Sequence, residues 1–255
     1  MLKWLRSTGT KRADSGPAPH PDADPKLAAA FAARGPWATR FWIDGIPYGG
    51  PHDLSRDPRL VMAETAIGGF QGKRVLELGA LEGGHSIDLA RRGATVVAIE
   101  GRQANYERAR WVASRLGVES IRFVMADVRK ADLAAYGAFD LILASGLLYH
   151  LDRPWELLAR LAPIAPSIYM WTHYVGDVDA GDRVSVGGEE IAGTFRREYG
   201  LADPLSGLQP TSFWPTRAGL DAMLRLTGWT VVAADAQPAH QDGPAITLVA
   251  RRSAG

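Results

Sequence analysis

Residues 73–84 read KRVLELGALEGG. Val75 to Leu78 is a short, nearly continuous apolar run, and Gly79, Gly83 and Gly84 turn the chain into a helix-forming stretch from Gly84 to Arg92 that stops before Gly93. An apolar run without alternation reads as a strand buried on both faces, as strands of a parallel sheet are. Glycines in such a turn let the backbone pass close to a ligand, and the first N–H groups of the helix are left unpaired. Taken alone, the turn says only that a strand meets a helix tightly.

Moving outward toward the C-terminus, the same unit repeats. Thr95 to Glu100 is a second strand, and Gln103 to Leu116 a helix with Ala109, Val112 and Leu116 on one face. Ile121 to Ala126, Phe139 to Ala144 and Ser167 to Thr172 are the third to fifth strands, with a helix over Pro154 to Leu161. Strands alternating with helices predict a parallel sheet covered on both faces, the doubly wound α/β class. Val175 to Phe213 is a long insertion carrying Gly176, Gly181, Gly187 and Gly188. A helix over Pro215 to Leu226 follows, stopped by Gly228, then two closing strands over Trp229 to Ala234 and Ala245 to Ala250. The predicted fold is a Rossmann-like, seven-stranded, mostly parallel sheet.

Toward the N-terminus, Ser15 to Pro25 is rich in Pro, Ala and Asp, and residues 1–25 are expected to be a flexible tail. Residues 26–70 form an extension: a helix from Lys26, a strand at Phe41-Trp42-Ile43, a loop at Tyr48 to Pro51, and a helix over Asp57 to Ile67. This segment is expected to be a lid on a pocket of the domain at 71–255, with the insertion over 175–213.

Acids recur at the ends of the predicted strands. Glu100 ends the second, about twenty residues after the glycine turn, where a carboxylate accepts hydrogen bonds from ribose hydroxyls. Asp127 ends the third, where it can face an adenine amino group. Together, Glu77, Gly79 and Gly83, then Glu100, then Ala126-Asp127, then Phe139-Asp140 resemble the motifs of the class I S-adenosylmethionine-dependent methyltransferases, strongly over about residues 70–172. The resemblance implies S-adenosylmethionine as cofactor, held by Glu77, Gly79, Gly83, Glu100, Gly101, Arg102, Ala126, Asp127, Val128 and Ser145. The sequence departs from the family at Leu81, which replaces the middle glycine, with Glu82 beside it. A dinucleotide-binding turn needs Gly-x-Gly-x-x-Gly, which ELGALEGGHS does not supply.

Methyl transfer to a hydroxyl needs positioning and a base. Imidazole is the natural choice near neutrality, and His150 and His173 both follow predicted strand ends, which makes them the candidate catalytic residues. With Asp152 or Asp177 they offer imidazole and carboxylate ligands for a divalent metal, although no local spacing supports one and no metal residue is assigned. Tyr48, Tyr149, Trp171, Tyr174, Glu189, Glu190, Arg196, Tyr199 and Trp214 are the candidate acceptor residues. Ser145 to Pro154 also resembles the matching segment of enzymes that modify the tRNA wobble uridine with a carboxymethyl-type donor, and the EGGHS, WTHY and SFWP segments resemble small bacterial methyltransferases of sugars and secondary metabolites. O-methylation of a small-molecule hydroxyl, led by a sugar or glycan, is therefore the expected function. A non-catalytic cofactor-binding scaffold is the alternative that Leu81 raises.

The bulk numbers narrow the field. With 29 basic and 28 acidic side chains the net charge is +1, without the basic excess of a nucleic-acid-binding domain. There are no cysteines, so thiolate metal sites and cysteine nucleophiles are excluded. No apolar run approaches the roughly 18 residues of a membrane span, and the N-terminus lacks a secretory apolar segment. The expected setting is cytoplasmic, with a small-molecule acceptor and, from general frequency, a homodimer.

Overall fold

A computed structural model of the chain describes residues 20–203 and 205–253. Most of the expected tail, residues 1–19, lies outside them. The extension begins with α1 (Pro25–Ala32), capped by the Asp24 carboxylate on the Leu27 N–H, and continues as a hairpin of β1 (Arg40–Ile43) and β2 (Ile46–Gly49). The sequence reading placed Tyr48-Gly49 in a loop. They pair with Phe41 and Arg40 instead, because Asp44-Gly45, both at positive φ, make a tight reversal. Then comes α2 (Leu60–Ile67), which starts three residues later than expected and ends on left-handed Gly68.

The alternating unit follows: β3 (Arg74–Leu78), α3 (Gly84–Arg91), β4 (Thr95–Glu100), α4 (Gln103–Arg115), β5 (Ile121–Met125), β6 (Leu141–Ser145), α5 (Pro154–Leu161) and β7 (Ser167–His173). The insertion is mostly strand rather than loop. β8 (Asp182–Val186), β9 (Glu189–Arg197) and β10 (Thr211–Pro215) form an antiparallel sheet of order β10-β9-β8. Its glycines and charges hid this, since Arg196 and Arg197 are exposed on a strand whose buried positions are Ile191 and Gly193. The chain closes with α6 (Arg217–Leu226), β11 (Trp229–Gln237) and β12 (Ala245–Arg252).

The main sheet has seven strands in the order β11-β12-β7-β6-β3-β4-β5. β3 to β7 are parallel, and β12 enters antiparallel between β7 and β11. This is the Rossmann-like arrangement expected, and successive residues serve opposite faces. Leu76, Leu78, Val97, Ile99, Ile142 and Ile168 pack under α5 and α6, whose Leu157, Leu158, Leu161, Leu220, Met223 and Leu224 are buried. Val75, Val96, Ala98, Leu141, Leu143 and Tyr169 pack on the other side against Leu60, Ala63 and Phe70. Two buried faces explain why the strands carry no polar alternation. A third cluster fixes the extension, with Phe31, Phe41 and Tyr48 seated on Ile87, Val112 and Ala113. Among the described residues no helix is long and apolar enough to cross a membrane.

Candidate active site

Strand order reverses beside β3, and the cleft at a parallel sheet's carboxyl edge opens at such a switch point. There the structure has a cavity of about 580 Å³, lined by residues of the extension, the glycine turn, the strand ends, the insertion and the β11–β12 turn. One half is built from the glycine turn and the strand ends: Gly79, Ala80, Leu81, Glu100, Gly101, Ala126, Asp127 and Val128. The other half is aromatic and imidazole-rich, with Tyr149, His150, Trp171, His173, Trp214 and His240.

Glu100 organises the first half. One carboxylate oxygen accepts the Leu81 N–H at 2.8 Å and the other the Arg102 N–H at 2.7 Å. A carboxylate has about four acceptor positions, so acceptor capacity remains for hydroxyl donors. Burial pushes its pKa up to about 7. Leu81 explains how the missing glycine is tolerated. It takes up the left-handed conformation itself, at φ 51°, which keeps the backbone path at the expense of about 1–2 kcal/mol. Its neighbour Glu82 turns the other way, is buried, and accepts the Thr39 N–H at 2.6 Å and that of Ala38 at 3.0 Å, tying the turn to the extension. Asp127 is clasped by the Arg129 side chain, which, against the effect of burial, holds its pKa below the ordinary value. A carboxylate with spare acceptor positions, an open glycine turn and a second acid across the cleft fit the ribose, tail and adenine side of S-adenosylmethionine.

In the second half, His150 and His173 are both in the wall, and each has one ring nitrogen committed. His150 Nδ1 lies 3.1 Å from a Glu198 carboxylate oxygen. Burial raises the pKa of Glu198, but hydrogen bonds from His150, Ser206 and the Gly207 N–H outweigh it and hold the pKa at about 2. An ionised carboxylate only accepts, so Nδ1 carries the proton and Nε2 is the free nitrogen. His173 Nδ1 faces the carbonyls of Gly243 and Pro244 at 3.1 Å, which again leaves Nε2 free, and burial lowers its pKa so that it is neutral. Its ring stacks on Trp214, with centroids 4.8 Å apart and planes 10° apart.

The insertion crosses the cavity mouth. The Arg102 guanidinium donates to the carbonyls of Gly200 at 2.7 Å and Ser206 at 2.5 Å, and Leu208 packs so closely on Gly101 that a Cβ there would lie 2.7 Å from it. Residues 198–203 and 205–208 thus link His150 to the end of β4.

Several expected residues stand elsewhere. Glu77 is buried behind the turn, bound to the Ser86 hydroxyl and 3.7 Å from His85, and Gly83 faces Phe123 and Ala109. Tyr48 belongs to the aromatic cluster, its hydroxyl accepting the Asp24 N–H. Tyr174 is outside the wall. Glu189 pairs with Arg225 at the surface, and Glu190 and Tyr199 are exposed. Arg196 lies over the Trp214 ring at 3.8 Å, on the outside of the wall. Asp152 lines a separate shallow recess with Trp155, and among the described residues no three His, Asp or Glu side chains gather to hold a metal ion. Ser145 and Tyr149 do line the cavity. The sequence reading missed Glu198, Arg59, His85 and the turn His240-Gln241-Asp242. None stands at a strand end in the alternating pattern, and Glu198 meets a histidine 48 positions away.

Residues 75–164 match the family of methyltransferase domains Methyltransf_25. The N-terminal domain of EvdMO1, solved with S-adenosylhomocysteine bound and also in the presence of S-adenosylhomocysteine and D-fucose, is 30% identical and superposes with a TM-score of 0.73 over 90% of this chain and 96% of that one. The chain belongs to the class I S-adenosylmethionine-dependent methyltransferases. Among curated proteins it is similar to the 23S rRNA (uracil(1939)-C(5))-methyltransferase RlmD of Alkalilimnicola ehrlichii, 37% identical over 37% of this chain and 21% of that protein. It is also similar to the ubiquinone biosynthesis O-methyltransferase of Acinetobacter baylyi, 26% identical over 54% and 56%. These matches span about a fifth and about half of those proteins' lengths.

Proposed function

We propose that the enzyme methylates a hydroxyl of a small molecule, with a sugar as the leading acceptor class and His150 as the general base. The observation that carries this reading is the His150–Glu198 pair at the edge of an aromatic cavity. The cofactor supplies an electrophilic methyl group on a cationic sulfur. His150 Nε2 would take the proton of the acceptor hydroxyl as that oxygen is methylated. Glu198 keeps the tautomer and stabilises the imidazolium that results, as carboxylates do in other histidine pairs. His173 Nε2, neutral and aimed by two carbonyls, accepts a hydrogen bond from a second hydroxyl and holds the acceptor in register. Trp171 lines the cavity with an aromatic surface of the kind that suits the C–H face of a sugar ring, while Trp214, held between His173 and Arg196, backs the His173 imidazole. The EvdMO1 domain solved in the presence of D-fucose supports the sugar class.

The test is turnover of S-adenosylmethionine against a panel of deoxy sugars, nucleotide-linked sugars and phenols. A hydroxyl acceptor is expected, with His150→Ala losing about 10²–10⁴ in kcat and keeping cofactor affinity. Unchanged turnover in that variant, or transfer only to nitrogen or carbon, removes the base reading.

A further inference from the structure

Beside the glycine turn, on the side away from Glu100, the extension delivers a positive charge to the cavity wall that neither the base nor the ribose site uses. Arg59 and His85 both line the cavity. Their counter-ions do not: Asp57 and Glu77, at 3% and 1% exposure, sit behind them. Asp57 Oδ2 is 2.6 Å from Arg59 Nη2 and 2.9 Å from His85 Nε2, so one carboxylate oxygen joins the two cations. Arg59 Nε also donates to Asp57, at 2.9 Å. That clamp occupies the Nε–Nη2 edge of the guanidinium, and Nη1 makes no hydrogen bond with the described residues. The guanidinium is held flat by Trp171, whose ring lies 4.8 Å from it and whose buried indole N–H is likewise without a partner among the described residues.

We propose that Arg59 is the carboxylate-binding residue of this cavity, oriented by Asp57 and Trp171, with His85 as a fixed second positive charge. The arrangement is directional. The two carboxylates are buried on the protein side and the two cations face the ligand side, so an anion entering the cavity meets the positive face first. His85 remains charged at neutral pH. Burial works against its charge, but the hydrogen bonds to Asp57 and Glu77 prevail and carry its pKa to about 9. Both of its ring nitrogens face these carboxylates, so it contributes charge while Arg59 Nη1 contributes the N–H donors. Of the acids in the wall, Glu100 and Asp127 belong to β4 and the end of β5, across β3 from Arg59, and Asp242 belongs to the β11–β12 turn. A carboxylate can reach Arg59 from two sources, the amino-acid tail of the cofactor or an acidic group on the acceptor. This inference goes beyond the base reading, since it concerns binding and holds whether or not His150 takes the proton.

Calorimetric titration separates the sources. S-adenosylhomocysteine is compared with 5′-methylthioadenosine, which lacks the amino-acid tail. With S-adenosylhomocysteine bound, D-galacturonate is then compared with D-galactose. Each pair is measured on the wild type, Arg59→Gln and Arg59→Lys, with thermal unfolding as the check of folding. Arg59→Gln is expected to weaken one carboxylate-bearing ligand at least about tenfold, the scale of a lost charge-assisted hydrogen bond, and to leave its uncharged counterpart within about twofold. Arg59→Lys, a point charge without the planar fork, should fall between. A loss confined to S-adenosylhomocysteine assigns the site to the cofactor tail, and one confined to galacturonate assigns it to the acceptor. Equal binding of charged and uncharged ligands by the wild type overturns the proposal, as does a folded Arg59→Gln protein with unchanged preference. The wild-type and Arg59→Lys measurements decide the matter if Arg59→Gln does not fold.

Discussion

The two halves of the cavity are made in different ways. The cofactor half comes from 50 consecutive positions, Gly79 to Val128, and every residue in it stands at a strand end or a strand-to-helix turn of one repeating unit. The other half is assembled from His52 in the extension, Tyr149 and His150 after β6, Trp171 and His173 in β7, Ser206 in the insertion with Trp214 in β10, and His240 between β11 and β12. The first half needs only the sheet to form. The second needs five separately folded segments to meet. On the proposed reading, cofactor recognition rests on local geometry, while acceptor choice is spread over segments that meet from across the chain.

The sharpest test of this contrast is to strike each half and ask whether the other notices. His150→Ala should remove about 10²–10⁴ of kcat, and Glu198→Gln about tenfold with little change in acceptor KM, while cofactor affinity in both stays within about twofold. If either change abolishes cofactor binding, the halves are not separable. Glu100→Ala should do the reverse, weakening S-adenosylhomocysteine by about a hundredfold because ribose hydroxyls and two backbone N–H groups lose a charged acceptor. Calorimetry reads this directly.

A pH series sharpens the same point. Glu100 titrates at about 7 in the free protein because it is buried, and hydroxyl donors favour its ionised form. Cofactor affinity should therefore rise with pH through about 7, by up to about tenfold between pH 6 and pH 8, with a proton released on binding. Titrations in two buffers of different ionisation enthalpy measure that proton, and a flat profile contradicts the ribose assignment. The sign for stability is opposite: a carboxyl whose folded pKa is raised loses stability as pH rises from about 4.5 through about 7.

The bridge between the halves is Arg102, whose guanidinium ties residues 198–203 and 205–208 to the end of β4. Arg102→Ala should speed proteolytic cleavage within that segment several-fold, roughly the effect of losing about 1–2 kcal/mol of charge-assisted hydrogen bonding, and cofactor should suppress the cleavage. The smallest effect belongs to Glu189, whose only ion pair among the described residues is with Arg225 at the surface. Glu189→Ala should leave turnover unchanged and shift stability by less than about 1 kcal/mol. A large loss of turnover would mean that the insertion reaches the acceptor by a route outside this cavity.

Legibility in the sequence follows the same division. The strand ends Glu100 and Asp127 and the turn at Gly79 were readable because a parallel sheet imposes a fixed rhythm of apolar run, turn and helix, and an acid at the end of a run can only stand at the cleft. His150, His173 and Trp171 were readable as neighbours of strand ends, and Trp214 as a side chain beside the insertion; all four line the cavity, although their roles were not written there. Tyr48 looked like a binding residue and packs into a core, since an aromatic side chain suits either place. Glu198 could not be found, because the pairing that orients His150 spans 48 residues and leaves no local mark. The strands of the insertion were missed because a small sheet packed on one side carries glycines and charges on the other.

What the sequence determined by itself was the α/β class and the strand ends that meet at the cleft, both consequences of short-range periodicity that repeats with the fold, and the family, through the motif residues that stand there. What the tertiary structure alone decided was which polar groups face one another: Glu198 with His150, Asp57 with Arg59 and His85, Arg102 with the carbonyls of the insertion. These contacts depend on packing between segments far apart in the chain. Burial then makes them consequential, because a charge removed from water must find its partner within a few ångströms, whatever its distance along the sequence.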